Sequence, residues 1–428
     1  MVYFHAVTIV GLVAVVLVAS SLASQPPPPP HTRPPRLALW PHMSHPVHLV
    51  LDELPAERAR ADRRFYWENY DVEALVEGLG AESCHGLEVI HVDELQAELE
   101  AMGDAEAELD YVRANVPIVI RGAMDSWPGL GKFDLAAMEE AYANDQLVVQ
   151  DARRKGTVRF KDYLEYMADN GDANPAYAFD APFLASHPEL GEAYMRPPGL
   201  RRNMWDGMPD GLAPDWRWLL IGPPRSGSAF HTDPFNTSAW NALVSGRKTW
   251  AFYPPNVYSP PGLYGTEMPG LSTRFCAPSE SWGGPQECSA ISALEWFAKT
   301  APFLADQHAP IYCDQRPGDI LYVPQGWWHA VLNVEPSVAI TENSINVDNA
   351  RDMLESMKRA ALHDSGYVRV LAAFLDLWTP RFPDLFTDAD RAFVEHYAPD
   401  DAPPPTHASA YAGTPSSRWR RKRKRKRT

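Results

Sequence analysis

Residues 317–329 read Pro317-Gly318-Asp319-Ile320-Leu321-Tyr322-Val323-Pro324-Gln325-Gly326-Trp327-Trp328-His329: a turn, a strand, a second turn, then a histidine. Pro fixes φ and Gly accepts the left-handed region, so the opening pair favours a turn. The four apolar and aromatic residues from Ile320 favour extended backbone. Outward from this stretch the texture stays β. Residues 216–221, 239–244, 249–253, 330–334 and 338–341 are short runs rich in aromatic and aliphatic side chains, punctuated by Gly222-Pro223-Pro224, Gly246 and Pro336. Strands of this length and spacing predict a sandwich or small barrel.

Around this β region the periodicity changes. Residues 134–147, 161–168, 350–378 and 387–397 have helical spacing, and 87–92 and 116–120 read as strands. A long insertion, 254–302, is rich in Pro, Gly and Ser at first and helical near 291–299. The expected organisation is an α+β region over 61–170, a barrel over 171–349 and C-terminal helices over 350–398. The 428 residues, 45% hydrophobic and 22% charged, allow a sizeable core.

The two ends carry different addresses. Residues 6–23 hold no charge, the length of a signal-peptide core or a short spanning helix, with small residues at Ser21 and Ala23 that permit cleavage. Residues 1–24 are therefore expected to be a signal peptide or signal anchor, which brings a membrane into play, and 25–60 a Pro-rich linker. At the other end, nine of the ten residues 418–427 are basic, in a tail (399–428) of disordered composition. Such a run suits nuclear import, nucleic acid or anionic lipid. Its lysines third and fifth from the end also match retrieval signals of endoplasmic-reticulum membrane proteins. The expected location is the secretory pathway or that membrane, with the nucleus as the alternative.

The formal charge is −16, and without those nine residues the rest of the chain carries −25. An acidic body argues against broad nucleic-acid binding by the folded part and suits a basic protein or peptide partner. The cysteines, Cys84, Cys276, Cys288 and Cys313, include no CxxC pair, so a zinc site is not expected. Cys276 and Cys288 flank a loop and could pair in an oxidising compartment, or all four could be free thiols.

Two HxD triplets occur, His91-Val92-Asp93 and His231-Thr232-Asp233. The second follows a strand and a turn, and His329 stands about a hundred residues later at the end of the segment quoted above. Two imidazoles and one carboxylate on one face of an octahedron form the facial triad of non-haem Fe(II) oxygenases, which leaves the opposite face open. His231, Asp233 and His329 are thus the expected metal and catalytic set. A dicarboxylate co-substrate needs in addition a fixed cation and neutral donors. Lys248, at the entry to a strand, can point into a barrel. Asn241 and Thr341 lie on strand-like runs and could supply the donors, although Asn241 could equally be a satisfied core amide.

The blocks Pro223-Pro224-Arg225-Ser226-Gly227, His231-Thr232-Asp233-Pro234 and 237–244, followed by Lys248 and Trp250, closely resemble the JmjC-domain family of bifunctional arginine demethylases and lysyl hydroxylases. So do Val323-Pro324, 326–329 and 339–341, along with 161–167 and 177–180. The likeness spans about residues 90–350. It implies a double-stranded β-helix, a cupin-like jelly-roll barrel with flanking helices. It implies Fe(II) at His231, Asp233 and His329, with O2 and 2-oxoglutarate as co-substrates. It implies 2-oxoglutarate at Lys248, Asn241 and Thr341, with Tyr177 and Ser228; many family members carry Thr where Ser228 stands. C-terminal helices in the family often support homodimers. The reaction implied is hydroxylation of lysyl side chains or removal of N-methyl groups. The alternatives are a catalytically silent module of the same fold, or an oxygenase acting on RNA through the basic tail or on a small molecule.

Overall fold

A computed structural model describes residues 71–398, except 82, 105–108, 151–154, 171, 173, 210, 258–259, 262–291 and 305. The apolar segment 6–23, the Pro-rich linker, Cys276, Cys288 and the basic tail lie outside the described residues.

The strands, in chain order, are β1 (Glu88–His91), β2 (Ile118–Arg121), β3 (Gln146–Gln150), β4 (Lys155–Arg159), β5 (Tyr177–Asp180), β6 (Arg217–Gly222), β7 (Gly227–His231), β8 (Ser238–Ser245), β9 (Lys248–Tyr253), β10 (Ile311–Gln315), β11 (Ile320–Val323), β12 (Trp328–Asn333) and β13 (Ser337–Ser344). From β6 onward the chain crosses repeatedly between two sheets. The larger has the order β1-β2-β11-β8-β13-β6-β5-β3-β4, the smaller β10-β9-β12-β7. Neighbours are antiparallel apart from the parallel pair β1 and β2. This crossing between two facing sheets is the double-stranded β-helix.

Period two sorts each strand of the larger sheet into two faces. Leu219, Ile221, Trp240, Ala242, Val338 and Ile340 belong to the main core, with residues of α2 (Val92–Met102), α3 (Leu135–Tyr142), α4 (Phe160–Ala168) and α5 (Ala181–Ser186). The alternate residues Trp218, Leu220, Leu243 and Ala339 form a separate cluster with Tyr177. That second face looks towards the smaller sheet, because Gln315 on β10 reaches Asn241 on β8 and Lys248 on β9 reaches Tyr177 on β5. On the smaller sheet, Phe230, Ala251, Tyr253, Ala330 and Leu332 pack instead under α1 (Val72–Gly78) and α6 (Ala293–Lys299). Cys84, just before β1, is disulfide-bonded to Cys313 on β10, which ties the N-terminal segment to the edge of the smaller sheet.

Beyond the barrel, α7 (Ala350–Ala361) and α8 (Gly366–Trp378) bury Met353, Leu354, Met357, Leu371 and Phe374 against each other and against Phe235. Helix α9 (Asp388–Tyr397) starts with a capping box between Thr387 and Asp390, and Asp390 also pairs with Arg351 and Lys358 of α7.

Four segments differ from their sequence reading. The helical spacing over 134–147 ends at Tyr142, and Gln146–Gln150 pairs as a strand with β4 and β5. The 350–378 stretch is two helices, broken after Ala361 so that the second folds back on the first. Gly227–His231, rich in small residues, and Ile311–Gln315 are not among the expected strands, and both form by pairing, with β12 and β9 respectively.

Candidate metal and dicarboxylate site

His231 ends β7 and His329 lies near the start of β12, directly opposite it. The rings stand 4.1 Å apart by centroid. Asp233 follows as the chain leaves β7 into a short 3-10 turn, where Phe235 and Asn236 hold positive φ of 52° and 58°. Non-glycine residues pay about 1 kcal/mol or more for this backbone. Packing of Phe235 against Tyr367 of α8, centroids 5.2 Å apart, keeps the turn in place. Within β7 a register shift sets Ser228 opposite Val331, only three residues before the His231–His329 pair. Gly227 is required there, since a Cβ would lie 2.0 Å from the Val331 carbonyl oxygen.

One ligand atom from each of His231, Asp233 and His329 fits within 4.8 Å of the others. The remaining ring atoms are already committed. His231 Nδ1 donates to the Ala229 carbonyl (2.8 Å) and His329 Nδ1 to the Trp327 carbonyl (3.1 Å). Those bonds fix the tautomer that offers Nε2 as a lone pair. Burial drives both histidines down to about 4, His231 being lowered further by His329. Both are therefore neutral at pH 7, the state a metal needs. Burial pushes Asp233 up to about 6, against the pull of His231 and an Asn343 hydrogen bond. Its Oδ2 is buried with no hydrogen-bond partner. An orphaned carboxylate oxygen beside two neutral imidazoles fits a divalent cation. The other triplet does not assemble: His91 and Asp93 form an exposed pair at the start of α2.

Lys248 is fully buried on β9. Its Nζ donates to Tyr177 Oη (3.0 Å) and to Asn333 Oδ1 (2.8 Å). Burial lowers it to about 7. Among the described residues no carboxylate pairs with it. A buried ammonium held only by neutral acceptors fits an incoming carboxylate. Gly222 makes room: a Cβ there would stand 2.4 Å from Ser226 Oγ, 2.5 Å from Tyr177 Cδ2 and 2.7 Å from Asn333 Nδ2.

Asn241 and Thr341 face each other across β8 and β13. Gln315 Nε2 donates to Asn241 Oδ1 (3.3 Å), which leaves the amide nitrogen for other partners. The Thr341 hydroxyl donates to the Trp240 carbonyl (2.8 Å), so it must rotate away to serve a ligand. Ser228 shares the face of Val331 and His329 by its register. Asn333, which sequence reading did not single out, is the addition; only the register opposite Lys248 reveals it.

At Pro234, the residue after Asp233, the surface dips into a small, open hollow. Trp205, Trp216, Trp218, Phe235 and Tyr367 wall it, with Asp215 and Asn343 among its polar edges.

The sequence profile of the cupin-like domain family matches residues 104–343. The lysine-specific demethylase JMJ21 of Arabidopsis thaliana is 36% identical over 237 residues, 55% of this chain and 24% of that protein. The bifunctional arginine demethylase and lysyl-hydroxylase psr-1 of Caenorhabditis elegans is 32% identical, over 57% of this chain and 59% of its own. The 2-oxoglutarate and iron-dependent oxygenase JMJD4 of Gallus gallus is 27% identical, over 61% and 62%. The chain spans less than two thirds of the length of each of these relatives.

Proposed function

This chain belongs to the cupin-like domain family, and on that premise we propose that it is an Fe(II)- and 2-oxoglutarate-dependent oxygenase of protein side chains, a lysyl hydroxylase or N-methyl demethylase. The observation that carries the reading is the coexistence, inside one barrel, of the His231–Asp233–His329 triad and the buried, carboxylate-free Lys248. Relatives named for iron and 2-oxoglutarate, and for demethylation and lysyl hydroxylation, support it.

Bound iron with 2-oxoglutarate and O2 would supply the oxidising power to functionalise an unactivated C–H bond, while decarboxylation supplies the electrons. The chain's own residues do the rest. His231 and His329 present Nε2 because their Nδ1 protons are held by carbonyls. Asp233 contributes the carboxylate, kept in place by Asn343, which Thr237 Oγ1 braces at 2.7 Å. Lys248, with Tyr177 and Asn333, offers a cation to the distal carboxylate. Trp250 stacks on His329, centroids 5.9 Å apart, and with Phe252 excludes water from that side. The aromatic hollow beside Asp233 is the place for the substrate side chain, and Asp215 at its edge suits a cationic one.

The acidic body supports a basic protein partner. The Cys84–Cys313 disulfide supports an oxidising, secretory compartment, in keeping with the apolar segment 6–23.

The test is succinate release from 2-oxoglutarate by the purified chain, with and without Fe(II), beside Asp233→Ala. Iron-dependent succinate that disappears in the variant is the expected result. An iron-loaded wild-type chain that releases none, even with lysine-rich or N-methylated peptides present, removes the oxygenase reading.

A further inference from the structure

We infer that Asn333 is a positioning residue for 2-oxoglutarate: it holds the Lys248 ammonium with a neutral acceptor, so that the carboxylate completing that cation's coordination comes from the ligand. The inference rests on the oxygenase reading above.

The argument is a count of donors and acceptors. A lysine ammonium has three N–H groups and no acceptor. Two are used, by Tyr177 Oη at 3.0 Å and Asn333 Oδ1 at 2.8 Å. One remains. Tyr177 Oη accepts from the lysine, so its own O–H also stays available to donate.

The orientation of the Asn333 amide is not arbitrary. Ser226 Oγ donates its single hydrogen to the Pro223 carbonyl, at 2.6 Å. Towards Asn333 it can therefore only accept, and it accepts from Nδ2 at 2.9 Å. That fixes Nδ2 on the serine side and Oδ1 on the lysine side. The main chain is held as well: Asn333 N–H donates to the Ser226 carbonyl and its carbonyl accepts from Arg225 N–H, both at 2.8 Å. Asn333 stands directly opposite Lys248 in the β9–β12 register, so the two side chains share a face.

An aspartate has the shape of asparagine but brings a charge. At position 333 it would give Lys248 an internal counter-ion and compete with the ligand's distal carboxylate. It would not compete with the part of the ligand that chelates metal.

The experiment loads the full chain with redox-inactive Mn(II) and measures 2-oxoglutarate and oxalate binding by calorimetry, in wild type and in Asn333→Asp. Oxalate chelates metal but has no distal carboxylate. The expected result is 2-oxoglutarate weakened by at least ~10-fold in the variant with oxalate unchanged, since an ion pair between buried partners must be broken for the ligand to bind. Equal 2-oxoglutarate affinity in the two proteins overturns the inference, and so does an equal loss of both ligands, which marks general damage. If circular dichroism shows that Asn333→Asp does not fold, Asn333→Ser takes its place: its shorter side chain cannot reach the Lys248 ammonium to hold it in position, so a loss confined to 2-oxoglutarate is again expected, and the same two outcomes overturn the idea. A wild-type chain that binds Mn(II) and oxalate but no 2-oxoglutarate overturns this inference together with the oxygenase reading.

Discussion

His231 and His329 face each other across two antiparallel strands, and each gives its Nδ1 proton to the carbonyl two residues earlier in its own chain segment, Ala229 and Trp327. The ligand geometry is thus built from backbone as much as from side chains. His329→Ala should lower Mn(II) or Fe(II) affinity by at least ~100-fold while the fold persists, because the barrel core does not depend on this ring. Metal titration followed by calorimetry, beside circular dichroism of the variant, checks both halves.

Metal binding should depend on pH through Asp233 first. Its carboxyl is pushed up to about 6, whereas the histidines titrate near 4. Above pH 6 all three ligands are deprotonated and affinity is flat. Between pH 6 and 4 a proton competes at Asp233, and affinity should fall about tenfold per pH unit. Mn(II) titrations from pH 4.5 to 8 test the slope; a flat profile through pH 6 would contradict the environment assigned to Asp233.

Gly222→Ala should weaken 2-oxoglutarate binding without removing the metal. The added methyl would overlap Ser226 Oγ, Tyr177 Cδ2 and Asn333 Nδ2, all within 2.7 Å, and so displace the groups that hold Lys248. A rise in the 2-oxoglutarate KM by an order of magnitude, with Mn(II) affinity kept within about twofold, is the expected pattern.

The ligand-free chain should gain stability as pH rises from about 7. Lys248 is depressed from 10.5 to about 7 by burial, so the unfolded state binds the extra proton between those values. This contribution is full above pH 10.5 and is lost as pH falls towards 7. Lys248→Met lacks it. Over pH 7 to 9 the stability difference between the two proteins should close by ~2–3 kcal/mol, measured by urea unfolding at each pH.

Much of this was legible in the sequence because the chemistry is local. His231-Thr232-Asp233 and the turn-strand-turn segment ending at His329 carry their own context, and the aromatic strands of the barrel announce themselves by composition. What stayed hidden depends on partners far along the chain. Gly227–His231 has too many small residues to read as a strand and becomes one by pairing with β12. Gln146–Gln150 looks like the tail of a helix until β4 and β5 flank it. Asn333 lies in a recognisable strand, but its role depends on register with Lys248, 85 residues away. The bond between Cys84 and Cys313 needs the β1 segment laid beside the edge of the smaller sheet, which no local pattern encodes.

That bond has a consequence for a nicked molecule. It joins positions 229 residues apart, and the 262–291 stretch lies inside the ring it closes. A protease cut in that stretch would put His231, Asp233 and Lys248 on one fragment and His329, Asn333 and Thr341 on the other. On a non-reducing gel the clipped chain would still migrate as one species, and thiol would split it in two. Each half-set of ligands would then rely on strand pairing alone to stay together.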